Sequence, residues 1–190
     1  IGFELIRQIT RFVARPKSAS VRKKAGSATF LSGVDRQLRG DERIAVTSED
    51  FDADPMLLGC PGGLTVDLRH GRLRRADPAD MVSKVAGASP EEGECPSWQA
   101  FLEQATGGDE HVIRFLQVFA GYVLTGRVDE HVLLFIFGPG GNGKSVFLNV
   151  LIRLLGDYAK TAMMDTFAAR SSDRHASELA FLRGARLVTS

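Results

Sequence analysis

The residues best suited to chemistry stand eight in a row: Gly138-Pro139-Gly140-Gly141-Asn142-Gly143-Lys144-Ser145. A triphosphate packs several negative charges within a few ångströms, and holding it needs more inward-pointing donors than side chains can supply. Backbone amides supply them where glycine lets the chain curl, and Gly140, Gly141 and Gly143 are free to take positive φ. Lys144 is a compact cation suited to the β- and γ-phosphates, and the Ser145 hydroxyl suits a Mg²⁺ ion bridging the same oxygens. Glycine, four residues, then Gly-Lys-Ser satisfies the Walker A pattern at every fixed position. At average glycine and lysine usage, a chance match in such a chain is on the order of 1%. The expectation is an ATP–Mg²⁺ site: Gly138, Pro139, Gly140, Gly141, Asn142, Gly143, Lys144 and Ser145 bind nucleotide, Lys144 is the catalytic cation, and Ser145 is the metal ligand.

Such a loop works only between a strand and a helix. His131 to Phe137 is a continuous apolar run of strand length, fit for a strand buried on both faces. Val146 to Leu155 reads as the helix that follows, with Gly156-Asp157 as its stop, and its unpaired N–H groups and dipole favour an anion. Beyond it, a strand is expected over 161–164, a helix over 172–182 and a second buried strand over 186–189.

Upstream, residues 1–15 space apolar side chains as one helix face and stop at Pro16. A second helix is expected from Ser20 to Leu38, ended by Gly40-Asp41. A Pro- and Asp-containing stretch, 51–61, marks a boundary. Leu64, Val66 and Leu68 alternate before a turn at His70-Gly71, which predicts a β-hairpin closed by Asp77-Pro78. Residues 96–105 predict a helix capped by Ser97, and 109–125 a longer one capped by Asp109 and stopped by Gly126. In that helix Val112, Phe115, Leu116, Phe119 and Val123 read as a core stripe. The parts are a basic helical lead-in (1–50), a mostly helical module with the hairpin (51–127) and the start of a P-loop domain (128–190).

Composition narrows the classes. The chain has 190 residues and a formal net charge of +1, so no global charge argues for nucleic acid or membrane. Residues 1–43 are distinctly basic all the same, carrying Arg7, Arg11, Arg15, Lys17, Arg22, Lys23, Lys24, Arg36, Arg39 and Arg43 against Glu4, Asp35, Asp41 and Glu42. A solvated helix surface and a phosphate-contacting surface both account for that. Cys60 and Cys95 are expected as reduced thiols, and scattered histidines give no zinc spacing. No run reaches the roughly 20 apolar residues that span a bilayer, and the expected compartment is the cytoplasm. With no initiator Met and a strand that stops at Ser190, both ends read as cut.

Four stretches together resemble the phage/plasmid primase family, in which a poxvirus-type primase-helicase N-terminal module precedes a superfamily-three helicase part. They are Asp52 to Leu58, Pro61 to Arg74, Cys95 to Leu102 with Phe115 to Tyr122, and Phe137 to Asn149, the last in the Gly-Asn-Gly-Lys-Ser form this family favours. His70 stands where the family usually has Thr. The resemblance implies an α/β fold: a mostly helical N-terminal module with a small β-hairpin, then a truncated P-loop (AAA+-like) parallel-sheet ATPase domain. It also implies a DNA helicase of phage or plasmid replication, working as a homo-oligomeric (hexameric) ring on DNA, with a primase domain upstream and an acid pair, a sensor residue and an arginine finger beyond Ser190.

A phosphate cradle binds; hydrolysis needs a further acid to hold Mg²⁺ and polarise water. Asp157, Asp165 and Asp173 read as helix ends or loops, so that acid is expected after the 185–190 strand. Two other readings fit the loop. One is a P-loop kinase, which would need lid arginines such as Arg170, Arg174 and Arg183. The other is a non-catalytic, nucleotide-dependent DNA-binding module.

Overall fold

A computed structural model describes residues 2–42, 44–164 and 180–190. The chain forms two compact units, residues 1–50 and 51–190.

In the first unit, α1 (Gly2–Ala14) packs on α2 (Ala19–Ala25) and α3 (Ala28–Arg39) around Ile6, Ala14, Ala25 and Leu31. The single helix expected over 20–38 is two. Gly26 takes the C-cap of α2, and the Ser27 hydroxyl accepts a hydrogen bond from Phe30 N–H, starting a new helix. A capping serine after a glycine offers the backbone a better solution than a continuous helix through both.

The second unit opens with a three-stranded antiparallel sheet, β1 (Leu57–Cys60), β2 (Leu64–Asp67) and β3 (Arg72–Arg75), in the order β1-β2-β3. The predicted hairpin is β2–β3, with Val66 opposite Leu73. β1 was not separable in the sequence from its Asp- and Pro-rich flank, although Leu58 and Cys60 bury against Val66. Next come α4 (Pro96–Thr106), α5 (Glu110–Thr125) and α6 (Lys144–Leu155), then β4 (Ala159–Thr161) paired in parallel with β5 (Leu187–Thr189). α4 starts with Pro96 in its first turn after Cys95, with no side-chain cap, so the expected Ser97 cap is not formed. Asp109 caps α5 as expected, accepting from the N–H groups of His111 and Val112. The packed face of α5 is Ile113, Leu116, Phe119, Ala120, Val123 and Leu124, whereas Val112 and Phe115 face outward.

One core runs through the second unit, from Leu58, Cys60 and Val66 through Leu102 and Val123 to Phe147, Leu151, Leu155 and Leu187. The segment 84–87 ties β1 to the end of α6 and the turn that follows it. Ala86 N–H donates to Gly59 O at 2.8 Å, Gly87 N–H to Leu154 O at 2.9 Å, and Asp157 N–H to Val85 O at 3.0 Å. A Cβ on Gly87 would stand 1.8 Å from Arg153 O, so only glycine lets the two backbones cross there. Tyr158, 1% exposed, joins the same seam: its hydroxyl accepts from Gly59 N–H (3.0 Å) and donates to Lys84 O (3.1 Å). Arg186 lies above the Tyr158 ring, 4.3 Å from its centroid, and donates to Leu57 O (2.7 Å) and to Leu124 O.

The expected helix over 172–182 and strand over 161–164 are met only in part. β4 covers 159–161, and residues 165–179 lie outside the described residues. Cys60 and Cys95 are free thiols, the first buried and the second exposed. No helix among the described residues is long and apolar enough to cross a membrane.

Two outcomes test this frame. Tyr158→Phe removes one hydroxyl that serves two backbone groups, and is expected to lower unfolding free energy by about 1–3 kcal/mol in urea titration. Asp52 is partly desolvated, which alone would raise its pKa. Hydrogen bonds from Lys84 Nζ (2.8 Å), Ser83 Oγ and Ser83 N–H outweigh that and hold it below the ordinary carboxylate value. Its folded pKa is therefore below its unfolded one, so it stabilises the fold above about pH 4 and that contribution is lost as pH falls through the folded value. Thermal melts from pH 7 to pH 2.5 should show Asp52→Asn less stable at neutral pH and less sensitive to acid than wild type.

Candidate nucleotide site

The glycine loop leads directly into α6. Gly143 takes the N-cap with φ +83° and no side-chain cap, so the first N–H groups of α6 have no side-chain acceptor. Gly141 sits at φ +78°, and Gly138 at φ +148°. Gly140, expected to share this role, does not take positive φ. The first helical hydrogen bond of the turn runs from Phe147 N–H to Gly143 O at 3.0 Å.

Lys144 folds back over this loop. Its ammonium donates to Gly138 O (2.9 Å), Pro139 O (2.9 Å) and Asn142 Oδ1 (2.6 Å). Those acceptors are neutral, and no carboxylate pairs with the ammonium among its hydrogen-bond partners. Ser145, in the first turn of α6, is exposed. The structure thus gathers all eight predicted residues at one helix N-terminus.

Sequence reasoning did not find the support beneath the loop. Trp98 of α4 stacks between Phe101 (centroids 5.1 Å apart) and Phe147 of α6 (6.0 Å). Phe101 in turn lies against Gly143: a Cβ there would stand 2.9 Å from the Phe101 ring and 3.3 Å from Ala105. The helical spacing of Trp98 and Phe101 showed a shared face, but nothing in the sequence said that the face meets the loop. Gly143 is therefore constrained twice, by its φ and by the aromatic ring.

The strand expected before the loop is a correction. Residues 132–137 run without a ladder partner among the described residues, and Leu133, Phe135 and Phe137 are exposed, whereas Leu134 and Ile136 are half-buried. A run buried on both faces needs strands beside it and helices above and below; here only its Ile136 side packs on the core. β5 follows Arg186 as expected, pairing through Thr161 and Thr189. Of the carboxylates weighed as a hydrolytic acid, Asp157 instead accepts from Val85 N–H (3.1 Å), and Asp165 and Asp173 lie outside the described residues. So do Arg170 and Arg174, two of the arginines a kinase lid would need. No cluster of three metal-type side chains occurs among the described residues.

Fold and site together define a mixed α/β chain in which an antiparallel sheet and two helices brace a glycine-loop helix. Residues 3–107 match the family described as D5 N terminal like, and with more than half its length matched the chain belongs to that family. The family is one of replication proteins of the primase-helicase type. The matched residues include the three-helix unit, which the motifs quoted from the sequence left out. The chain is also similar to the "Uncharacterized mitochondrial protein ymf21" of Marchantia polymorpha, 34% identical over 62 residues. That similarity covers 33% of this chain and 34% of the relative.

Gly143→Ala tests the coupling between α4 and the loop. It should cost about 2–4 kcal/mol, from strain at positive φ and overpacking against Phe101. It should also shift the emission of Trp98, the single tryptophan, without any nucleotide present. An unchanged spectrum would mean that Phe101 does not seat the loop.

Proposed function

We propose that this chain is the nucleotide-binding part of a primase-helicase-type replication protein and that the loop from Gly138 to Ser145 takes ATP with Mg²⁺. The observation that carries the reading is the Lys144 ammonium, held by three neutral acceptors over an uncapped helix N-terminus. A triphosphate offers that cation a far stronger partner than carbonyls do, and offers the N–H groups of α6 the acceptor they lack. Ser145, exposed in the first turn, suits the metal ion, which would neutralise phosphate charge when bound. The residues present fit the group. In the whole protein, ATP turnover coupled to movement along DNA, assembly into a hexameric ring and an attached primase domain belong to the same proposal.

Within this reading Lys144 neutralises the β- and γ-phosphates, the loop amides orient them, and α4 keeps the loop from collapsing through the Phe101 contact. The kinase reading has less support, since residues 3–107 match a family of the primase-helicase type.

Titration with ATP–Mg²⁺, followed by Trp98 emission and by calorimetry, should show saturable binding. Lys144→Ala should weaken it about 30- to 150-fold, the loss expected when a charge-assisted contact of about 2–3 kcal/mol is removed. Equal affinity in the variant would remove the loop as the site.

A further inference from the structure

We propose that the three-helix unit carries a binding surface for nucleic-acid phosphates at the corner where α1 passes into α2. Between Gln8 and Val34 stand Arg11, Arg15, Lys17, Arg22, Lys23 and Lys24, and that stretch contains no Asp or Glu. All six side chains are exposed. Among the described residues the ion pairs of this unit join Arg7 to Glu4 and Arg39 to Asp35, and none of the six has a carboxylate partner there. Surfaces that serve solubility alone intersperse the two signs, because crowded like charges destabilise the compact state. The unit's core is Ile6, Ala14, Ala25 and Leu31, none of them one of these cations.

The corner is also held in shape. Arg22 Nη1 donates to Lys17 O at 2.7 Å and to Arg15 O at 3.4 Å, so the guanidinium of α2 fixes the loop that follows α1. Arg15 and Lys17 of the loop and Arg22 of α2 are thereby kept near one another before any ligand arrives. At one edge lies Phe12, 69% exposed, with the Arg15 guanidinium 5.9 Å from its ring centroid. An exposed ring beside an arginine offers an unpaired base a stacking face next to its phosphate.

An anionic lipid surface is the competing partner for a basic patch. Lipid binding draws on large apolar side chains interleaved with the cations. On α1 the exposed Ile9, Phe12 and Val13 stand around Arg11 in the sequence, but four of the six cations, Lys17, Arg22, Lys23 and Lys24, lie on the loop and α2, where Val21 is the one larger aliphatic side chain. The loop and α2 side of the corner therefore offers charge with little to insert, which favours phosphates in water, and membership of a replication family agrees with that choice.

The surface stands apart from the glycine loop in the chain and is tested apart from it. The 190-residue chain is titrated against a fluorescein-labelled oligothymidine of about 20 nucleotides, with anisotropy read at several salt concentrations. Binding should weaken linearly in log–log form as salt rises. Lys17→Glu/Lys23→Glu/Lys24→Glu should weaken it at least tenfold at about 0.1 M salt and shrink the slope by about 2, at about 0.7 per lost contact on a single strand. Lys17→Arg/Lys23→Arg/Lys24→Arg should keep binding, and the milder Lys→Gln triple reads the same contacts should the reversal disturb folding. Charge reversal at Arg72 and Arg75 on β3 should leave binding unchanged; an equal loss there would overturn the site. So would capture of the chain by vesicles containing about 30% phosphatidylserine together with no oligonucleotide binding. Lys144→Ala should retain oligonucleotide affinity, so failure of the nucleotide site and failure of this surface give different patterns.

Discussion

The unit of residues 51–190 depends on a half-buried cation that has no carboxylate partner among the described residues. Removing a guanidinium from water is costly, and burial indeed pushes Arg186 below its ordinary pKa, opposed by Tyr158, Asp52 and Asp54 nearby. That cost is offset by two backbone carbonyls, Leu57 O and Leu124 O, and by the face of Tyr158. One planar, multi-donor group thus ties the antiparallel sheet to the end of α5 and to the turn before β4. Its own N–H donates to Tyr158 O at 2.7 Å, which sets the start of β5. Since β5 pairs with β4 and α6 packs on both, the placement of the loop helix traces back to this contact.

Tyr158 is the complementary half. Burial raises its pKa, so the phenol keeps its proton and can donate to Lys84 O while accepting from Gly59 N–H. An ionised side chain could not do both. The crossing of segment 84–87 over the end of α6 is held from the other side by Gly87, where any Cβ would collide with Arg153 O. The antiparallel sheet and the glycine-loop helix therefore share one seam.

The loop is braced from α4 through a short aromatic relay. Trp98, Phe101 and Phe147 fill the gap between α4 and α6, and the relay ends on Gly143, whose missing side chain leaves room for the ring. A loop of bare glycines is entropically expensive to hold in one shape; packing an aromatic floor beneath it lowers that cost by removing alternative loop shapes. Electrostatics divide along the chain as well. Lys144 has no carboxylate among its partners, and the α1–α2 corner gathers six cations without one.

Local chemistry was legible in the sequence: the Gly-x₄-Gly-Lys-Ser spacing, the Asp109 cap and Gly126 stop of α5, and the alternation of Leu64 and Val66 all act within a few residues. The N-terminal part of the resemblance agreed with the family that residues 3–107 match, a span that ends before the glycine loop. What was missed needed long-range partners. A single 20–38 helix looked sound until Ser27 capped α3. Val112 and Phe115 fit a stripe by spacing, but the packed face of α5 was set by what α5 meets. The 131–137 run had strand composition, yet a ladder is decided by neighbours. Arg186, Gly87 and the Phe101–Gly143 contact join residues 42 to 129 positions apart, and no local pattern encodes a contact at that separation. The sequence determined which residues could hold a phosphate; only the tertiary structure decided what holds those residues in place, because burial and backbone crossing are properties of segments brought together.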